Sequence, residues 1–172
     1  AEAAAEAGVA IACGSQHVAL RDPERADGFH VIRHRAPGAF VLANVGPTVS
    51  PQEALQAVEM LEANALQIHL NAAQELVMPE GDRDFRDWAE RIAAIAAAVG
   101  VPVVVKEVGF GLSRRTITAL ERTGVGAVDV AGAGGTDFIA IENERRPRRD
   151  YSYLTGWGQS TALCLLEALG GE

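Results

Sequence analysis

Short apolar runs alternate with stretches of helical periodicity along the chain. Five of these runs predict β-strands, at residues 9–13, 40–43, 66–70, 103–108 and 127–130. Apolar runs of this length separated by helical segments are typical of βαβ units, in which successive strands lie parallel. The pattern therefore predicts an α/β fold built on a parallel sheet.

Helix signals occur between the predicted strands. Ser50 and Glu53 form a capping box with Pro51 at the first helical position, which predicts the start of a helix. Ser113 is a second N-cap candidate, and Gly124 closes the segment that follows it. Helices are also predicted for residues 1–7 and 161–169. A further helix is indicated by apolar residues spaced three or four positions apart: Phe85, Trp88, Ile92, Ile95 and Val99.

Two architectures fit this order of elements. A complete TIM (β/α)8 barrel needs about 250 residues and eight strands, whereas this chain has 172 residues and five predicted strands. The alternative is an open, doubly wound sheet of five strands. Both architectures place functional side chains just after the C-terminal ends of their strands. We therefore expect a single domain over residues 1–172 with its site at that edge.

Composition narrows the range of partners and compartments. A formal net charge of −8 argues against nucleic acid and anionic membrane as partners, because both attract clustered Lys and Arg. Cys13 and Cys164 lie too far apart in sequence for a secreted disulfide scaffold, which favours a cytoplasmic location. The sequence starts AEAAAEAG without an initiating Met, so we expect a longer natural polypeptide.

The third predicted strand carries a polar stripe. Gln67, His69 and Asn71 fall on one face, and apolar residues occupy the other face. A polar stripe in a parallel strand faces either a site or a satisfied hydrogen-bond network. The stripe leads to Gln74 and Glu75, where a carboxylate suits a hard cation such as Mg²⁺. Taken alone, a histidine such as His69 is more often a core residue bonded to a neighbour than a catalytic group.

The other predicted strands also end in polar or glycine-rich segments. Lys106 either forms a buried ion pair with Asp129 or Glu107, or supplies a fixed positive charge to a flavin or phosphate. The glycine run 132–135 is either a tight turn or a close approach to phosphate, with Thr136 adding a hydroxyl. Asn44 either stabilises a turn or lines the site.

Two further features bear on the chemistry. An arginine cluster around Pro147 is either a solvated loop or a basic lid over an anionic substrate; it contains Arg145, Arg146, Arg148 and Arg149. Zinc-ligand spacing, a GxSxG elbow and a P-loop are all absent from the sequence. Their absence argues against zinc, acyl-serine and Walker-type ATP chemistry.

Several strings, in this order, resemble the type 2 isopentenyl-diphosphate isomerases, which are FMN-dependent TIM-barrel enzymes. The strings are GSQ (14–16), ANVG (43–46), QIHLNAAQE (67–75), PEGDRDF (79–85), VKEVGFGLS (105–113), DVAGAGGTDF (129–138) and IENERR (141–146). The resemblance covers essentially the whole chain but only the middle of the family's chain. It implies that this chain supplies about five βα units, strands two to six, of an FMN-binding (β/α)8 barrel.

The resemblance also implies roles for individual residues. Catalytic roles are implied for His69, Asn71 and Gln74, and Mg²⁺ binding for Glu75. Contacts to the substrate are implied for Ser15, Gln16, His17 and Gln74, of which His17 stands where the family commonly has arginine. FMN contacts are implied for Ser15, Asn44, Lys106, Gly134, Gly135 and Thr136.

The implied reaction converts isopentenyl diphosphate to dimethylallyl diphosphate in isoprenoid biosynthesis. It requires reduced FMN, with NADPH as the usual reductant, and Mg²⁺ that bridges Glu75 to the diphosphate. The expected protein is a cytoplasmic homo-oligomer. Two alternatives are an FMN-dependent oxidoreductase on a related barrel and a non-catalytic truncated fragment.

Overall fold

Five parallel strands form one sheet in the computed structural model, which describes residues 1–148 and 150–170. The strands are β1 (Ile11–Ala12), β2 (Val41–Val45), β3 (Ala65–His69), β4 (Val103–Lys106) and β5 (Ala127–Asp129). Every observed boundary lies within two residues of the predicted one. The predicted α/β class is therefore confirmed.

The strand order distinguishes the two predicted architectures. The order is β1-β2-β3-β4-β5, and each adjacent pair is parallel. A doubly wound sheet reverses its order at a switch point, and the sheet of the described residues has no such reversal. Beyond β5, Ala133 and Ser160 form one more parallel bridge. Sequential parallel order is that of a TIM barrel, so the doubly wound alternative is wrong.

Helices connect the strands. In the described part of the chain they are α1 (Glu2–Glu6), α2 (His17–Arg21), α3 (Asp27–Arg35), α4 (Pro51–Leu61), α5 (Ala72–Val77), α6 (Trp88–Ala98), α7 (Arg114–Glu121), α8 (Phe138–Glu144) and α9 (Thr161–Leu169), with 3-10 turns at Pro23–Arg25 and Ser152–Leu154.

The predicted helix starts at Ser50 and Ser113 are confirmed. The Glu53 amide donates to Ser50 Oγ at 3.2 Å, while the Ser50 amide donates to Glu53 Oε2 at 2.7 Å. The Thr116 amide donates to Ser113 Oγ at 3.3 Å. Both caps satisfy amides that have no partner inside the helix.

Helix α3 was not predicted, and its local signals are limited to an acidic first turn and a basic last turn. It has no side-chain cap and no buried residue. Phe29 and Ile32 pack partly buried against the core, and the Arg33 guanidinium donates to the backbone oxygens of Leu61 at 3.2 Å and Glu62 at 2.6 Å. These bonds satisfy carbonyls at the C-terminal end of α4. Glu62 lies there in the left-handed region with φ 45°.

The core lies between the outer face of the sheet and helices α4 and α6. Its fully buried members include Val41, Ala43, Val45, Leu61, Leu66, Ile68, Ile92, Ile95 and Val105. Because side chains alternate along a strand, Asn44, His69 and Lys106 are left on the inner face. Within residues 1–148 and 150–170, the helices are all too short or too polar to cross a membrane.

Candidate active site

A row of polar side chains crosses the inner face of the sheet near its carboxyl edge. The register pairs His69 with Lys106 and Lys106 with Asp129. On the neighbouring strand, Asn44 Oδ1 lies 2.8 Å from His69 Nδ1. Asn44 belongs to β2, so the prediction that it only stabilises a turn is wrong. The strand ends therefore bring three of the predicted site residues together.

His69 is a neutral imidazole at physiological pH. Burial lowers the pKa of His69 to about 4, and electrostatic interactions with Lys106 and His17 lower it further. Because an amide oxygen only accepts hydrogen bonds, Nδ1 carries the proton that is donated to Asn44. Nε2 then keeps a free lone pair, and it lies close to the backbone of Gly46.

Lys106 does not form the ion pair that was one of its two predicted roles. Its Nζ donates to the backbone oxygen of Glu107 at 2.8 Å, and no carboxylate among the described residues lies within ion-pair distance of it. The Glu107 carboxylate instead accepts the backbone amides of residues 108–111 at 2.6–3.2 Å. Glu107 thus organises the turn after β4, and Lys106 remains an uncompensated cation on the inner face.

One cavity of about 610 Å³ opens at this edge of the sheet. Of the residues predicted from the sequence, it is lined by Ser15, His17, Asn44, His69, Asn71, Gln74, Glu75 and Lys106. Polar groups from the ends of several strands converge in this way at the active face of barrel enzymes.

The residues after β3 form helix α5, which the sequence analysis did not predict. Asn71 stands at the N-cap position, and its Nδ2 donates to Glu75 Oε1 at 2.9 Å and to Gln74 Oε1 at 3.3 Å. Glu75 Oε2 accepts the Asp82 amide at 2.7 Å. Helix geometry and these bonds fix the direction of both side chains at the cavity.

Sequence reasoning did not identify Glu142, which belongs to the same network. Gln74 Nε2 donates to Glu142 Oε1 at 3.0 Å, and the Glu142 side chain is only 8% exposed. Arg145 pairs with Glu142 and also with Glu80. The string IENERR was the only signal, because a buried glutamate and an exposed one look alike in a sequence.

Two arginines of the cluster around Pro147 are bound to neighbouring groups, so the cluster is not simply a solvated loop. Arg145 bridges two carboxylates, and Arg146 pairs with Asp150 at 2.7 Å while its guanidinium lies 4.6 Å from the centre of the Tyr151 ring. Arg148 is exposed, and Arg149 lies outside the described residues. Anchored in this way, Arg145 and Arg146 tie α8 to its surroundings, and neither forms a free lid.

Gln16 lies behind the cavity instead of in it. Its side chain is fully buried, Nε2 donates to the Ala57 oxygen at 2.9 Å, and Oε1 accepts the Asn44 amide at 2.9 Å. Both polar ends are therefore occupied by the backbone. In this arrangement Gln16 fixes the end of β2 against α4, and the diphosphate contact predicted for it gains no support.

The glycine run after β5 divides into two parts. Gly132 is packed tightly: a Cβ there would lie 2.3 Å from the Thr161 amide nitrogen, and the Gly132 amide donates to Thr161 Oγ1 at 2.9 Å. A Cβ at Gly134 or Gly135 would meet only open space. Gly134, Gly135 and Thr136 are exposed and do not line the cavity. Gly132 is therefore needed because the chain packs closely against it. For Gly134, Gly135 and Thr136, contact with a phosphate group stays a prediction.

The donor chemistry of the cavity fits both a flavin and a magnesium ion. Lys106 has two N–H groups beyond its bond to Glu107, and the Asn44 amide and Ser15 hydroxyl add further donors, which suit the acceptor-rich edge of a flavin ring. Mg²⁺ needs only one or two carboxylates when substrate phosphates and waters complete its shell. Each oxygen of Glu75 keeps a lone pair beyond its one hydrogen bond. The described residues contain no group of three or more His, Cys, Asp or Glu side chains that could hold a metal ion.

Comparison with known proteins gives two kinds of similarity. The chain is 60% identical over 166 residues to an isopentenyl-diphosphate delta-isomerase from Kitasatospora griseola, covering 96% of this chain and 46% of that protein. Relatives of the same name from Streptomyces sp. (strain CL190) and Staphylococcus aureus are 56% and 53% identical over 98% and 95% of this chain. No protein-family model matches this chain.

Solved structures share the fold alone. A protein described as a dihydrodipicolinate synthase family member from Coccidioides immitis has a TM-score of 0.51 at 18% identity, covering 80% of this chain and 47% of its own. One described as a dihydrodipicolinate synthetase from Pseudomonas aeruginosa has a TM-score of 0.50 at 19% identity, covering 72% and 44%. The chain thus has a TIM-barrel-like fold, and it spans about half the length of the relatives named isopentenyl-diphosphate delta-isomerase that it matches.

Proposed function

We propose that the protein carrying this sequence converts isopentenyl diphosphate to dimethylallyl diphosphate with reduced FMN, NADPH as reductant and Mg²⁺. The observation that supports this proposal is the convergence of Asn71, Gln74, Glu75 and Lys106 on one cavity. It occurs in a chain 60% identical, over nearly all its length, to a protein named for this isomerase activity.

The reaction moves a double bond without net oxidation or reduction. A proton is added to the terminal alkene carbon, positive charge develops at the tertiary carbon, and a different proton leaves the neighbouring methylene. When bound, reduced FMN supplies an electron-rich surface that exchanges protons with the substrate. The protein must orient the alkene, exclude water and avoid placing extra positive charge beside the developing cation.

The inner-face residues suit these tasks. His69 is neutral because its pKa is lowered to about 4, so at pH 7 it adds no positive charge near the substrate. Lys106, free of any carboxylate, offers its charge to an anionic flavin. The bonds from Gln74 to Glu142 and from Asn71 to Gln74 fix the amide of Gln74 at the cavity. These residues therefore bind and orient the reacting groups.

Glu75 is the proposed ligand for Mg²⁺. Its carboxylate is held at the cavity by Asn71 and by the amide of Asp82, and it offers a hard oxygen to a cation that also binds phosphate oxygens. A magnesium ion held by Glu75 would neutralise charge on the diphosphate, so that the role of Glu75 would be to orient the substrate.

The test compares Glu75→Gln with Glu90→Gln, an exposed glutamate of α6, in the protein that carries this sequence. Isomerisation is followed by product analysis with reduced FMN over a range of Mg²⁺ concentrations. We expect Glu75→Gln to keep the fold and flavin spectrum and to lose roughly 100-fold in turnover, because removal of metal-site partners typically costs 10- to 100-fold or more. Glu90→Gln should behave like the wild type.

Each contrary outcome has a distinct meaning. An unchanged maximal rate and Mg²⁺ midpoint in Glu75→Gln would remove Glu75 from the metal site. Flavin binding without isomerisation, together with oxidation of a 2-hydroxy acid, would favour the oxidoreductase alternative. Failure of the wild-type protein to bind flavin at all would favour the non-catalytic alternative.

A further inference from the structure

The cavity has an uneven distribution of charge. Its basic side chains are His17 and Arg21 from α2 and Lys106 from β4, together with His69 of β3, whose lowered pKa keeps it neutral at pH 7. Its acidic side chains are Glu75 from α5, with Glu80 and Asp82 from the segment that follows. A polyanionic group entering the cavity is therefore attracted to the α2 and β4 side, and it needs a cation such as Mg²⁺ to approach the acidic side.

Arg21 is the arginine on the α2 and β4 side of the cavity. None of the motifs identified in the sequence includes it. It follows His17 by four positions in α2, and residues with this spacing lie on the same face of a helix. Both line the cavity, and both also line an adjoining surface depression of about 600 Å³. α2 thus presents a permanent positive charge next to Ser15 and His17.

The Arg21 guanidinium has no carboxylate partner among the described residues. The next arginine along the chain, Arg25, pairs with Asp22 at 2.9 Å. The acid that is coupled electrostatically to Arg21 is Glu53, but its carboxylate is already bound by the Ser50 amide and hydroxyl at 2.7 and 2.8 Å. Hydrogen bonds from Ser50 chiefly lower the pKa of Glu53, and electrostatic interactions with His17 and Arg21 contribute less.

We infer that Arg21 is a binding residue for the diphosphate group of the substrate. The inference rests on the proposed function, which supplies the diphosphate. A guanidinium is always charged and offers five N–H donors in a planar fork that matches two phosphate oxygens. Lys106 already spends one donor on Glu107, and an imidazole has only two ring nitrogens, which point in different directions. Arg21 is therefore the cavity residue best suited to recognise the doubly charged terminus.

The expected effect is on binding more than on chemistry. Loss of a charged hydrogen bond to phosphate should raise the KM for isopentenyl diphosphate by about 10- to 100-fold and leave kcat within roughly threefold. Arg21 contacts the end of the substrate that does not react, so ground state and transition state should lose the same interaction.

The test uses inorganic diphosphate with Mg²⁺ as the probe, titrated calorimetrically into the protein that carries this sequence. Arg21→Ala should raise the dissociation constant by about 10- to 100-fold, and Arg21→Lys should restore part of the loss because the charge remains. Arg25→Ala is the matched control: Arg25 pairs with Asp22 and lines only the outer depression. Circular dichroism of each variant checks the fold, and Arg21→Gln replaces Arg21→Ala if the latter unfolds.

The outcomes separate this inference from the proposed function. Wild-type affinity for diphosphate in Arg21→Ala or Arg21→Gln, or no binding by the wild type, would overturn the inference. If the wild type binds diphosphate through Arg21 but does not isomerise the substrate, the proposed function fails and the anion site stands. If the wild type isomerises with an unchanged KM in the Arg21 variants, the function stands and the inference fails.

Discussion

The lowered pKa of His69 predicts a specific dependence of stability on pH. In the folded protein the pKa of His69 is about 4, whereas an unfolded histidine has a pKa of about 6.5. Between these values the unfolded chain binds a proton that the folded chain excludes, so lowering the pH favours unfolding. The contribution of the neutral imidazole is complete above pH 6.5 and is lost as the pH falls towards 4.

The size of this effect follows from the two pKa values. One pKa unit corresponds to about 1.4 kcal/mol, so lowering the pKa from 6.5 to about 4 corresponds to about 3.5 kcal/mol at low pH, of which about 3 kcal/mol is lost by pH 4. His69→Gln removes the titrating group. The loss of its bond to Asn44 adds an offset that does not change with pH. The stability advantage of the wild type over the variant should therefore shrink by up to about 3 kcal/mol between pH 7 and pH 4.

Urea denaturation at several pH values between 7 and 4 measures this difference. His34→Gln, which removes an exposed histidine of α3, controls for loss of an imidazole elsewhere. Proton NMR then identifies the His69 ring resonance by its absence from His69→Gln. Two results would refute the reasoning: a His69 resonance that titrates at or above pH 6.5, or a stability difference that stays constant across the range.

Two further substitutions test the neighbouring residues. Lys106→Ala should weaken FMN binding, measured by flavin fluorescence. It should change the free energy of unfolding by less than about 1 kcal/mol, since no ion pair is lost. Normal flavin binding in a destabilised variant would contradict this prediction. Gln16→Leu should destabilise by about 1–3 kcal/mol, because it leaves the buried Asn44 amide without a partner and removes the bond to the Ala57 oxygen. The exposed Gln56→Leu on α4 should stay within about 0.5 kcal/mol, and equal denaturation midpoints for these two variants would show that the buried bonds of Gln16 contribute little.

Local signals in the sequence were sufficient for the elements that begin with a cap or consist of a continuous apolar run. All five strands and the helix starts at Ser50 and Ser113 were predictable, because burial preference and side-chain capping act over a few residues. Helix α3 was not, because it is held by packing of Phe29 and Ile32 on the core and by bonds from Arg33 to residues 28 or more positions away. Nor was the strand order, which depends on how distant βα units pack together.

For the site, the sequence determined which polar residues stand at the strand ends. It did not determine which of them remain free to act. Gln16 and Gln74 belong to similar polar motifs, yet Gln16 is bound by Ala57, 41 positions away, and Gln74 meets Glu142, 68 positions away. Whether a polar side chain is bonded in the core or lines the cavity depends on partners that only the folded chain brings within hydrogen-bond distance. The physical reason is that an unpaired buried polar group is costly, so each buried group forms hydrogen bonds with the partners that lie next to it in the folded chain.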